Sequence, residues 1–322
     1  MATRSSSLLK RGRGRLAAYG RAVRWPVLAY LPAVVAYART RRKVGAPSEL
    51  TLPAVALAPL AAALGLPRGS FRSGAIWTAQ MWAYKISFEV PHDRPARQRE
   101  RLYIDYPIRA DSVIGGGMPP GQRLQRRLRH PPRLSWLDRV ASFLYFAWEL
   151  EPHLAMLWIL RRHPDRWPGA AARLATTFDL TLLGYFAVPS APPWWASERE
   201  DRMGHDVRRV VAEVGRELRG KPRPGIDHYT GSNPWAAMPS DHFGSALMTA
   251  MVLADVDRRL GAAAGAYAAA LGLVLVYTGE HYVTDLIAGL LLATGVHLVA
   301  PAAERPAGRV AALLSRWAPK PV

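Results

Sequence analysis

Late in the chain, the run "YTGEHYVTDLIAGLLLA" (Tyr277–Ala293) sets Glu280 beside His281, with Asp285 one helical turn further on and an apolar stretch behind it. On a helix, residues i and i+4 share a face, and the later side chain leans back toward the earlier one. Asp285 can therefore accept a hydrogen bond from one ring nitrogen of His281, which fixes the tautomer and leaves the other lone pair facing outward. An imidazole held in that way is a competent nucleophile or base. A second histidine, His242, stands in "PWAAMPSDHFGSA" (Pro234–Ala246), at the expected start of another helix, where it could protonate a leaving oxygen. The plainer reading of both runs is a helix end in the membrane interface that tolerates polar groups. The chemical reading is an active site at a membrane surface.

Phosphate chemistry would need cations and N–H donors as well. Ser240 is placed to cap the helix that follows, which would leave the backbone N–H groups of Asp241–Phe243 for an anion. Upstream, "GRELRGKPRPGIDHYTGSNPW" (Gly215–Trp235) supplies Arg216, Lys221 and Arg223. In the same run Gly231, Ser232 and Asn233 permit a close backbone approach. The carboxylate of Asp241 would repel phosphate unless it points away.

These residues need elements to hold them. A bilayer core takes about 20 helical residues. Apolar stretches of suitable character lie at Val140–Leu160, Ala170–Val188, Phe243–Ala254, Leu260–Thr278 and Leu286–Ala300. Trp25–Ala38 and Thr51–Leu66 are shorter and interrupted by prolines. Gly74–Val90 is aromatic and amphipathic. Pro91–Arg133 is arginine-rich, is broken by "GGGMPPG" (Gly115–Gly121), and suits either helices against lipid head groups or a solvated linker. The expected fold is all-α: a polytopic membrane helix bundle of about six spans behind an N-terminal region of amphipathic interfacial helices. The expected division is a basic N-terminal region (1–135), a catalytic bundle (136–304) and a basic tail (305–322). Alternating spans bring the turn at Thr278–Tyr282 to the same face as Ser240 and His242.

Composition narrows the function classes. The 322 residues are 50% hydrophobic and contain no cysteine, which excludes disulfides, thiol catalysis and thiolate metal sites. The net charge of +19 is clustered between apolar blocks, a pattern suited to anionic head groups rather than nucleic acid. The arginine bias favours a cytoplasmic site face in a bacterial-type cell membrane, with a periplasmic face as the alternative.

Taken together, "PSDH" and "GEHYVTD" resemble the second and third motifs of the type 2 phosphatidic acid phosphatase superfamily, which includes bacterial acid phosphatases and vanadium haloperoxidases. "FAVPSAPPWW" (Phe186–Trp195) and "NPWAAMPSDH" are similar to the branch that holds inositol phosphorylceramide synthase. The resemblance covers Trp136 to about Ala300. It implies His281 as the nucleophile that forms a phosphohistidine, Asp285 as its orienting partner and His242 as the acid for the leaving group. It implies no metal and no cofactor. The substrate would be a lipid phosphate or phospholipid in the bilayer, with water, a polyol or a lipid alcohol as acceptor. Arg216 and Arg223-Pro224 have the spacing of the first motif, with arginine for lysine. The arginine that usually precedes the nucleophile is missing, since Val274 and Leu275 occupy that place. Two other function classes stand beside this one. A transporter would use Asp179, His153 and His297 as a mid-membrane relay, and a metal hydrolase would use His242, His281, Glu280 and Asp285.

Overall fold

A computed structural model describes residues 24–129, 133–219 and 233–315 of the protein, the side chains of Arg219 and of residues beyond 302 excepted. It is all-helical, with no strand among the described residues. The chain forms two compact units, residues 1–90 with 300–322 and residues 91–299. The division falls after Val90.

The first unit holds α1 (24–40), α2 (Ser48–Ala56), α3 (Ala58–Gly65) and α4 (Ser70–Glu89). Val34, Ala38, Val55, Ala58 and Ala83 form its core. Buried Arg41 donates to Glu89 at 2.7 Å, so the charge enters that interior paired.

The second unit opens with three short helices, α5 (Pro95–Arg99), α6 (Asp105–Ile114) and α7 (Pro120–Leu128). Gln98, Asp111, Gln122 and Gln125 on these helices are all buried. Neither a solvated linker nor a set of helices lying only on head groups would bury those groups.

The bundle follows: α8 (Trp136–Ala147), α9 (Glu151–Arg162), α10 (Trp167–Ala187), α11 (Pro193–Glu198), α12 (Val210–Arg219), α13 (Asp241–Ala254), α14 (Arg258–Tyr277) and α15 (Val283–Ser315). Sequence sets the starts of these helices. Ser135 and Asp138 make a reciprocal capping box for α8. Asp257 accepts from the N–H groups of Arg259 and Leu260 to start α14. The core gathers Ala141, Tyr145, Val211, Ala246, Leu271 and Leu275 from α8, α12, α13 and α14.

Two expectations are revised. Val140–Leu160 is not one span, because the helix stops at Ala147 and restarts at Glu151. Pro152 supplies the reason: it lacks the N–H that a continuous helix would require and is tolerated in the first turn of a new one. Against about six spans expected, three helical stretches among the described residues are long and apolar enough to cross a membrane: Ser48–Gly65, which is α2 and α3 taken together across Leu57, Arg258–Tyr277 and Val283–Ala302. The 14 residues of α13 reach only about 21 Å, short of a bilayer core.

Candidate active site

The turn between α14 and α15 carries His281, and its backbone is tied on every side. The last carbonyls of a helix lack partners within it. Here Tyr277 O accepts from Gln125 Nε2 of α7 at 2.8 Å, Thr278 O from Val210 N–H at 3.2 Å and Gly279 O from Trp194 N–H at 3.0 Å. Gly279 has φ +78°, and a Cβ there would stand 2.9 Å from Arg208 O and from Val207 Cγ1, so only glycine fits this turn. On the far side α15 begins at Val283. Asp111 of α6 caps that start, accepting from Val283 N–H at 3.2 Å and Thr284 N–H at 3.0 Å. Burial pushes the Asp111 carboxyl up from its ordinary pKa, and the hydrogen bonds from Thr284 and Val283 oppose that shift.

Within this frame His281 Nδ1 lies 3.4 Å from Asp285 Oδ2. The same oxygen accepts from Tyr282 N–H at 2.8 Å, which fixes the carboxylate. The other ring nitrogen, His281 Nε2, lies 3.3 Å from His242 Nδ1. With Asp285 ionised, one proton arrangement serves both contacts: His281 donates from Nδ1 to Asp285, and His242 donates from Nδ1 to the lone pair on His281 Nε2. The His242 ring stacks on Tyr145 at 5.0 Å and is tilted against Trp148 at 4.2 Å. Burial lowers its pKa well below the ordinary histidine value, and the nearby charges of His281 and Arg209 lower it further.

α13 is locked to this centre through its backbone. Ser240 N–H donates to Asp285 O at 3.0 Å, and a Cβ on Gly289 would meet Ser240 O at 2.6 Å. The two helix starts therefore approach as closely as small residues allow.

The remaining expected residues are placed as follows. Ser240 Oγ accepts from Phe243 N–H at 3.3 Å, and Asp241 N–H donates to Tyr185 OH at 3.2 Å. These two N–H groups are already engaged, so the expectation of three free donors for an anion is not met. Asp241 is buried and turned to α10, where Thr181 Oγ1 donates to it at 3.1 Å. Asn233 is also buried, and its Oδ1 accepts from Gln98 Nε2 at 2.9 Å and from Trp235 N–H at 3.2 Å. Arg216 is exposed and lines a cleft of about 960 Å³ with Arg126, Arg129, Arg208, Glu213 and Glu217, whose lining includes neither His242 nor His281. Lys221, Arg223, Gly231 and Ser232 lie outside the described residues.

Asp179 and His153 are exposed on α10 and α9, and His297 Nδ1 lies 3.3 Å from Arg173, which pairs with Asp255. Among the described residues, no group of three His, Cys, Asp or Glu side chains is arranged to hold a metal ion.

One charged pair beside the histidines escaped sequence reasoning. Arg209, just before α12, donates from Nε to Glu280 Oε1 at 2.8 Å and from Nη2 to Oε2 at 3.2 Å. Its guanidinium lies 4.6 Å from the centroid of the Trp194 ring. Asp111 and the His242 neighbours Trp148 and Tyr145 were also missed. Nothing in local spacing points to any of them.

Residues 116–299 match the model of a protein family described as the PAP2 superfamily. No curated protein and no solved structure matches the chain.

Proposed function

The chain belongs to the PAP2 superfamily, and from that membership and the linked array Asp285–His281–His242 we propose an integral membrane enzyme that moves a phosphoryl or phospho-headgroup on a lipid through a phosphohistidine. Membership points to phosphatase- or phosphotransferase-type chemistry, and three apolar helices point to a membrane protein. The observation that carries the reading is the contact of His281 Nε2 with His242 Nδ1, with Asp285 behind it on Nδ1.

In the first step His281 Nε2 attacks phosphorus. The new N–P bond forms as the bond from phosphorus to the leaving oxygen breaks, and His242, which takes up a proton when the anionic phosphate binds beside it, gives that oxygen its proton. In the second step an acceptor hydroxyl attacks phosphorus, its proton goes to His242, and the N–P bond breaks. Asp285 stabilises the charge that develops on the His281 ring. Water as acceptor gives a phosphatase. A polyol or lipid alcohol gives a transferase, the version supported by the likeness of Phe186–Trp195 and Asn233–His242 to the inositol phosphorylceramide synthase branch.

The test is turnover of a panel of lipid phosphates and phosphoinositides by purified protein. His281→Ala should lower turnover by about 10³-fold or more, as loss of a nucleophile does. Vanadate mimics the five-coordinate transition state and should inhibit the wild type at about 10⁻⁶ to 10⁻⁴ M. Near-normal activity of His281→Ala, or loss of activity to a chelator with indifference to millimolar vanadate, overturns the mechanism.

A further inference from the structure

We propose that Arg209 is the cation that receives the substrate's phosphate, and that Glu280 is a built-in competitor that holds Arg209 until the substrate displaces it. This rests on the phosphohistidine reading above.

A phosphoryl group in transfer needs positive charge and N–H donors aimed at its oxygens. The described candidates are few. Val274 and Leu275, upstream of His281 on α14, are apolar and buried. Arg216 lines a cleft whose lining includes neither histidine. The N–H groups of Asp241 and Phe243 are engaged. Arg209 is different. It is bound to the residue next to His281 in the chain, and its charge is felt at His242.

Its geometry is also that of an oxyanion receptor. The guanidinium presents two donors to the two oxygens of Glu280, at 2.8 and 3.2 Å. That fork matches a phosphate as well as it matches a carboxylate. The Trp194 ring beneath it fixes the plane of the fork, so little ordering is lost when one anion replaces another. Trp194 is in turn tied to the catalytic turn through Gly279 O. Fork, turn and nucleophile thus form one connected piece.

The carboxylate of Glu280 occupies the fork where the substrate's oxyanion would sit. Glu280 and a bound phosphate cannot share it, because like charges at that separation repel. A phosphomonoester of charge near −2 outcompetes a carboxylate of charge −1 for a guanidinium, and Glu280 then turns out of the fork; a phosphodiester of charge −1 would exchange less readily. No bond is made or broken in the exchange. The plain structural alternative is a brace, in which the pair only stiffens the turn. The two ideas predict opposite signs when Glu280 is neutralised.

The experiment uses the full chain in detergent micelles, with inorganic phosphate and vanadate as probes and turnover of a lipid phosphate as the rate. Arg209→Ala should lower kcat/KM by about 10²-fold, the size expected for a lost oxyanion donor, and should weaken vanadate to a similar degree. Arg209→Lys keeps the charge without the fork and should fall between Arg209→Ala and the wild type. Glu280→Gln should tighten vanadate and phosphate and lower KM, because the competitor is gone. If Glu280→Gln instead weakens both probes, or Arg209→Ala binds them as the wild type does, the assignment is wrong. Should Arg209→Ala fail to fold, Arg209→Lys and Glu280→Gln still decide the question. Activity retained in His281→Ala would overturn the phosphohistidine reading itself. An inactive His281→Ala beside an unaltered Arg209→Ala would overturn only the role of Arg209.

Discussion

The ring nitrogen of His281 proposed as nucleophile is engaged in the structure, since Nε2 lies 3.3 Å from His242 Nδ1. A phosphorus atom with its oxygens cannot enter a gap of that size, so the two rings must part when substrate arrives. His242 is held on this side by ring contacts with Tyr145 and Trp148, which fix no single hydrogen-bonding position for it. His281 is held more firmly, by Asp285 and by the tied backbone of its turn. In the proposed mechanism, the proposed acid is therefore the partner expected to move, and the proposed nucleophile is the one held in place. Asp285→Asn tests how far the fixed partner depends on charge. The amide can still accept from His281 Nδ1–H, but it no longer stabilises the positive ring formed on attack. Turnover should fall by about 10²-fold or more while the thermal unfolding midpoint shifts little. A variant with near-normal kcat would remove Asp285 from the chemistry.

At the scale of elements, the start of α15 depends on a helix far from it in the chain. Asp111 of α6 satisfies two backbone donors at the first turn of α15 and places a carboxylate where the helix dipole favours one. Asp111 lies ahead of the family match, which begins at residue 116. Asp111→Ala would leave those two N–H groups without a partner in a buried place. It should cost about 2 kcal/mol of stability, the sum expected for a lost cap and an unsatisfied donor. Asp111→Asn retains an acceptor and should cost less. Thermal unfolding in detergent measures both. Equal stability of Asp111→Ala and the wild type would mean that α15 starts without help from α6. Trp148 illustrates the same scale. It reaches His242, and donates to Ser245 Oγ at 2.8 Å, where α8 has ended and α9 has not begun.

For the whole molecule, the question is how the site sits relative to a bilayer. α14 has 20 residues and is about 30 Å long, enough to separate its ends by a hydrocarbon core. The catalytic turn is at its C-terminal end, and α12 is tied there through Val210 N–H and Thr278 O. The protein has no cysteine, so a single introduced one reports its own position. Arg216→Cys on α12 and Arg259→Cys at the other end of α14 both replace exposed residues. In intact cells or sealed vesicles, a membrane-impermeant maleimide should label one of them and spare the other until the membrane is opened. The one labelled identifies the face that carries the site. Equal labelling of both from one side would show that α14 does not cross.

Sequence by itself determined what local periodicity can encode. His281 and Asp285 meet because i and i+4 meet on any helix, and apolar runs gave away α10, α14 and α15. It also carried the motifs by which the family was legible. Tertiary structure decided everything that depends on pairing across the chain. Arg209 and Glu280 are 71 positions apart, and Asp111 and Val283 are 172 apart. No spacing rule connects such residues, because their meeting depends on how several helices pack at once. The same packing turned Asp241 toward Thr181, put Arg216 in a cleft whose lining includes neither histidine and left Arg209 beside the histidine turn. A short motif specifies which groups are present at a site, and the packed bundle specifies which charges reach them.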